Sequence, residues 1–398
     1  MRRVANVDEW MKYFAVNMIL DDQETSLATG YGDDYAMYRG AIDKRFLLLP
    51  YDMDSILNSQ PGPFRGIFTM NAIPAIQRFM TNPEFLPIYY RYLRDLCHTT
   101  FTPTNMNLLL DQIKSQFDAN TSLDSAIESM KTYNASQVAF VLSQFPQSLT
   151  VSNNLTVSNG FPRTTSATIE LFGQSSPVDT RSVVVNGSGA VWNLMPGTWD
   201  HTGVTLKPGI NRVLVQALDG TGGEVARTNV DIWYDDSTVA TATINVGSNF
   251  WSAAGGPYLL NSSATIPAGT VVRVQAGTTV YFGAGAALTV NGQLLAEGSD
   301  TARIRFTRQP GGANWGSLDF VNTTVESRLA YVDFDSVGGT TTSDGHNAQV
   351  HVNNSIVFID HCTWPPTPVI EYISFNGSSF IVQNCYFPSY PGPSGPVC

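Results

Sequence analysis

The sequence predicts a multidomain chain. A mostly helical α+β segment covers residues 1–147, a small β-sandwich 148–240, and a repeating β solenoid 241–398. Three observations carry this division. Apolar residues recur at helical spacing near the start, as at Trp10, Phe14, Ala15, Met18 and Ile19. From about residue 148 the pattern changes to period-two alternation between turn-forming residues. From about residue 245 the β runs shorten and follow one another in quasi-regular order.

The composition agrees with this division. The chain has 398 residues, 22 Lys+Arg against 33 Asp+Glu, and a formal net charge of −11. Charged residues make up 14%, well under the roughly 25% of typical soluble domains. A surface so poor in charge suits a turn-rich β protein outside the cytosol. Only five residues are Lys, which argues against nucleic acid or an anionic membrane as the main partner. No apolar run reaches the ~18 residues of a transmembrane helix. The opening stretch meets Asp8 and Glu9 before any apolar run, so it does not read as a signal peptide. Cys97, Cys362, Cys385 and Cys398 form no C-x-x-C pair and suggest neither a disulfide scaffold nor a zinc site. Cys362 and Cys385 lie 23 residues apart; they either stack in a repeating fold or are two separate buried thiols.

Element by element, one amphipathic helix precedes an acidic loop over 21–35. Short apolar runs at Tyr35–Tyr38 and Phe46–Leu49 flank Gly40–Arg45 as a hairpin, and Pro50 stops the second strand. Helices follow over 73–80, 83–96, 102–116 and 122–142, with Pro83 in a first turn and Thr102-Pro103 as a cap and first turn. In the second segment, runs at 149–152, 167–171, 182–185, 204–206, 211–217 and 225–233 alternate. Asn186-Gly187, Lys207-Pro208-Gly209 and Asp219-Gly220 punctuate them. Such a count of short strands fits a sandwich. In the third segment the inward series Ile266, Val274, Val280, Leu288, Leu294, Ile304, Leu318 and Val332 suits stacked coils, with Trp315 covering an edge or filling the core. A second sandwich is the alternative.

One dense acidic region bears on chemistry: Asp21, Asp22 and Glu24, then Asp33 and Asp34, then Asp52 and Asp54. If the strand stays extended past Pro50, Asp52 and Asp54 share a face. Two carboxylates leaving a strand end suit a divalent cation that keeps waters and phosphate oxygens, and an acidic residue of the earlier loop would then serve as base. The same residues also suit a solvated acidic loop, with Arg39, Lys44 and Arg45 as local neutralising charges. Adjacent Cys97 and His98 do not face each other on a helix. His201, His346, His351 and His361 have no metal-ligand spacing.

Residues 15–24, Gly32–Arg39 and Phe46–Asp54, with Asn82-Pro83-Glu84-Phe85 and the helices beyond, resemble the second half of the CotH kinase family, the spore-coat-type atypical protein kinases. The resemblance covers residues 1 to about 145. It implies a kinase-like fold using ATP and Mg²⁺ or Mn²⁺ to phosphorylate Ser or Thr of secreted or surface proteins. Asp52 and Asp54 then match the metal-binding pair, and Asp34 is a second metal ligand. Glu24 takes the catalytic-loop position, with Asp22 or Asp21 as rivals. The sequence departs from the family pattern at Glu24 (for Asp), Asp34 (for Asn) and Tyr51 (for Trp). The family's nucleotide-clamping lobe would precede residue 1, so the chain is expected to be a piece of a larger protein without kinase activity by itself. The second segment resembles a bacterial immunoglobulin-like domain, and the third resembles the right-handed parallel β-helix of pectate lyases and surface adhesins. No lyase-type cluster of Asp with Arg or Lys stands in it. Two functional readings follow: a secreted or surface bacterial kinase, or an adhesion protein whose β-helix binds glycan or protein beside a degenerate kinase remnant.

Overall fold

A computed structural model describes residues 1–22, 34–57, 66–68, 73–117, 121–341, 345, 347–365 and 371–388. Its first helix, α1 (Val7–Leu20), opens with Asp8 and Glu9 at the positive end of the helix dipole. It closes on Asp21 in the left-handed region, whose N–H returns to the Asn17 and Met18 carbonyls. The periodicity predicts an amphipathic helix, but α1 is buried on nearly every side, including Met11, Phe14, Asn17 and Met18. Such a helix belongs in the middle of a core. The hairpin β1 (Tyr35–Arg39) and β2 (Phe46–Pro50) lies against it. The Trp10 indole N–H donates to the Phe46 carbonyl at 2.9 Å, and the Phe46 N–H donates to Val4 at 2.7 Å.

Among the described residues four further helices complete this core: α2 (Pro74–Met80), α3 (Leu86–His98), α4 (Pro103–Lys114) and α5 (Thr121–Ser143). The Thr102 cap holds, its hydroxyl accepting from the Asn105 N–H at 3.3 Å. Pro83 lies in a turn instead of a first helical turn, and Pro87 takes that role in α3. Asp8 anchors α1 to α3 through Arg91 at 2.9 Å. From α5 the Gln137 amide donates to the Met18 carbonyl at 2.9 Å, a buried contact across 119 residues of sequence.

Two sheets follow, packed on one core. The larger runs, in spatial order, Thr156–Ser158, Phe161–Thr164, Glu224–Tyr234, Gly209–Leu218, Ser182–Val185 and Ser188–Gly189. The smaller runs Thr168–Gln174, Thr198–Thr205 and Val191–Asn193. Leu171 and Trp199 from the smaller sheet meet Val183, Val215 and Ile232 from the larger. Residues 149–152 form a single bridge, Ser152 to Phe172, and not the strand their alternation predicts. Thr150 instead uses its carbonyl to accept the Trp199 indole N–H at 3.2 Å.

Beyond residue 240 the chain visits three sheets in rotation, paired in parallel apart from the short antiparallel strand Thr340–Thr341. One holds Ser248–Trp251, Val271–Gln275, Gln293–Glu297, Ser327–Ala330, Ile356–Asp360 and Ser379–Gln383. Each turn thus pairs with the turns before and after it, and inward residues form columns. Ile266, Val290, Phe320 and Val352 make one column; Val280, Phe306 and Phe334 make another. Trp315 fills the core, stacked on Phe282 with ring centroids 4.1 Å apart.

Polar contacts join these parts. Arg94 meets Asp179 at 2.6 Å, and the Thr279 hydroxyl accepts the Ile210 N–H at 2.9 Å. Beside it, Arg212, Arg303 and Arg305 converge on Asp231 and Asp333. Among the described residues no helix is long and apolar enough to cross a membrane.

Candidate functional site

The antiparallel register of the hairpin decides where the acidic residues go. Tyr35 pairs with Pro50 at one end and Arg39 with Phe46 at the other. Asp34 therefore enters the open end of the hairpin as Tyr51 and Asp52 leave it. A backbone bond from the Leu57 N–H to the Leu20 carbonyl, 2.8 Å long, then ties the segment after Asp54 to the end of α1. Asp21 and Asp22 follow Leu20 directly. The open end of the hairpin is thus flanked by Asp34 and Asp52, while Asp21 and Asp22 follow the Leu20 carbonyl to which the segment after Asp54 is tied.

The five differ in environment. Asp22 is 1% exposed, Asp34 4% and Asp21 8%, whereas Asp52 and Asp54 stand in solvent. The strand does not stay extended past Pro50 as the shared-face reading requires. It ends there, and Asp52 has a φ of 47°. Asp52 and Asp54 thus leave from a turn, and period two does not govern their directions. Glu24 and Asp33 lie outside the described residues, as do His346 and Cys398.

The expected neutralising bases are elsewhere. Arg45 forms paired bonds to Asp43 at the closed end, the shortest 2.6 Å, and holds that carboxyl down to about 2. Arg39 donates to the Lys44 carbonyl at 2.8 Å. Five strand residues put the closed end about 14 Å from the open one, beyond a screening length of about 8 Å at physiological salt. The last turn of α1 carries no basic residue, so its negative dipole end adds to the field of the carboxylates. Such a place favours a cation. Among the described residues no three His, Cys, Asp or Glu side chains stand close enough to hold a metal ion alone. A magnesium-like ion commonly takes only one or two carboxylates and completes its shell with phosphate oxygens and water. The oxygen donors of Asp52 and Asp54 fit that chemistry.

Asn17 falls inside the motif, but the motif reading gave it no role. It is 1% exposed, one turn before Asp21. Its carbonyl accepts the Asp22 N–H at 3.0 Å, while its amide nitrogen has no hydrogen-bond partner among the described residues. The available signal was a lone amide in the apolar run Tyr13–Leu20 that closes the helix. Gln137, which holds the Met18 carbonyl from α5, had no local signal at all.

No curated protein matches the chain. Residues 1–151 match the family model described as CotH kinase protein, and the acidic end of the hairpin lies inside that matched segment.

Proposed function

We propose that residues 1–147 are the C-terminal segment of a kinase that, together with a nucleotide-clamping lobe not contained in this chain, transfers phosphate from ATP to Ser or Thr of secreted or surface proteins. On this reading, 148–240 is an immunoglobulin-like sandwich, and 241–398 is a right-handed parallel β-helix that displays the kinase segment outside the bacterial cell. The observation that supports the reading is the register of Tyr35 with Pro50, which sets Asp34 and Asp52 at one end of the hairpin, inside the family match.

Asp52 and Asp54 would hold Mg²⁺ or Mn²⁺, with Asp34 as a further ligand. When bound, such an ion neutralises charge on the phosphate oxygens during transfer. Asp22 or Glu24 would accept the proton of the acceptor hydroxyl and orient its oxygen. Asn17, fixed in α1, would position Asp22 through the backbone.

The test is metal-dependent stability, read without turnover. Mn²⁺ should raise the melting temperature of the full chain, and ATP should add to that rise. The Asp52→Asn, Asp54→Asn double variant should melt as the unliganded parent does and ignore both additions. An equal Mn²⁺ response in parent and variant would remove the ion from these residues. No response in either would favour the surface-binding reading with a degenerate kinase remnant.

A further inference from the structure

Cys362 and Cys385 occupy matching positions on successive turns of the third segment. Ile356–Asp360 pairs in parallel with Ser379–Gln383, Asp360 opposite Gln383. Just beyond, Thr363 bridges Tyr386. Both pairs have the same sequence offset, which is also that of Cys362 to Cys385. The Tyr386 N–H donates to the Cys362 carbonyl at 2.9 Å, fixing the register beside the thiols. Neighbouring strands lie about 4.8 Å apart, inside the range of roughly 4.4–6.8 Å between Cα atoms that a disulfide spans. Cys362 is buried in the inward stack and Cys385 lies half-buried at its edge; both are thiols.

We propose that Cys362 and Cys385 are a redox-modified pair that closes to a disulfide on meeting a low-molecular-weight disulfide. The bond would lock residues 371–388 onto the turn beneath. That turn has one strand neighbour per sheet among the described residues, and it carries the exposed Phe380, Ile381 and Tyr386. It is where the stack frays most readily.

The two thiols divide the chemistry. Cys385 is the accessible one, and the Cys362 thiol beside it lowers it to about 7, so thiolate is abundant near neutral pH. Burial pushes Cys362 upward and keeps it protonated. The Cys385 thiolate attacks one sulfur of the small disulfide, and the first small thiolate leaves, taking up a proton from solvent. The Cys362 sulfur then attacks the mixed disulfide at Cys385, its proton passing to the second departing thiolate. Two protein thiols are oxidised to one cystine, and one small disulfide is reduced to two small thiols.

The pairing is independent of the kinase reading, and its test uses the full chain with oxidised glutathione. After alkylation and non-reducing digestion, mass spectrometry should find one peptide pair joined through Cys362 and Cys385. Proteolysis within residues 366–388 should slow at least fivefold, and dithiothreitol should restore it. Cys362→Ala should trap the glutathione adduct at Cys385. Cys385→Ser, at the half-buried position, should keep the parent near-ultraviolet dichroism and leave Cys362 unmodified. A Cys385–Cys398 link in the parent, an adduct that stops at Cys385, or two unreacted thiols would each overturn the pairing.

Discussion

The Leu57 N–H reaches the Leu20 carbonyl at 2.8 Å, and through that bond the turn carrying Asp52 and Asp54 rests on the end of α1. Asp52 has a left-handed backbone within this turn. Asp and Asn tolerate that conformation, whereas a Cβ on other residues costs roughly 1–2 kcal/mol there. We therefore expect Asp52→Ala to lower stability by about 1 kcal/mol without any metal. Asp52→Gly and Asp52→Asn should not. Thermal melts in chelator separate this backbone effect from the metal response. A metal-binding loss in Asp52→Asn at parental stability is the result that speaks to function.

The joint between the two sheets of residues 156–234 and the three sheets beyond residue 240 should depend on Asp333. Its side chain is 1% exposed, with Arg303 at 2.8 Å and Arg212 at 3.0 Å, one from each side of the joint. Removing it leaves buried guanidinium groups without their counter-charge, which costs about 3–5 kcal/mol in comparable sites. Asp333→Ala should show that loss in urea unfolding. Asp43→Ala, which breaks an exposed pair at the hairpin turn, should leave the unfolding midpoint unchanged. Equal effects from the two would rule out the joint as a stability element.

Asp231 makes the same joint sensitive to acid. Burial pushes its carboxyl up, but Arg305 and Arg212 more than offset this and hold it at about 2. A carboxylate held below its ordinary value of 3.8 stabilises the fold above that pH. The contribution disappears as pH falls toward 2. The amount is about 2 kcal/mol. Unfolding free energies measured from pH 5 to pH 2 should fall more steeply in the parent than in Asp231→Asn. Parallel curves would exclude Asp231 as the group responsible.

How far the molecule could be read from sequence depends on the range of each interaction. The hairpin was legible because two apolar runs flank a short turn, and most strands beyond residue 240 because glycines mark them. The acidic region was legible as a cluster in sequence. Its separation from Arg39, Lys44 and Arg45 was not, because that follows from the pairing of Tyr35 with Pro50. The burial of α1 on nearly all sides depends on helices that arrive more than 60 residues later. Asp231, Arg305 and Asp333 each stand between two apolar neighbours, as solvent-facing strand residues do, and Arg212 follows a polar Asn211. Only the docking of two sheets makes them a buried network.

Gly209 tests whether that docking is specific at the level of single atoms. Its φ is 106°, and a Cβ placed on it would lie 2.5 Å from the Thr279 Cβ and hydroxyl oxygen. The same hydroxyl accepts the Ile210 N–H at 2.9 Å and donates to the Ile210 carbonyl at 3.1 Å. Gly209→Ala must then strain its backbone and push the Gly209–Leu218 strand off Thr279, a loss of more than about 1 kcal/mol. Thr279→Val keeps the shape but leaves both Ile210 groups unsatisfied, at about 1–3 kcal/mol. Thr279→Ser preserves the bonds and should cost least. Urea unfolding should rank Ser above Val, with Gly209→Ala showing a clear loss. A neutral Gly209→Ala would mean that the two parts do not hold this contact in solution.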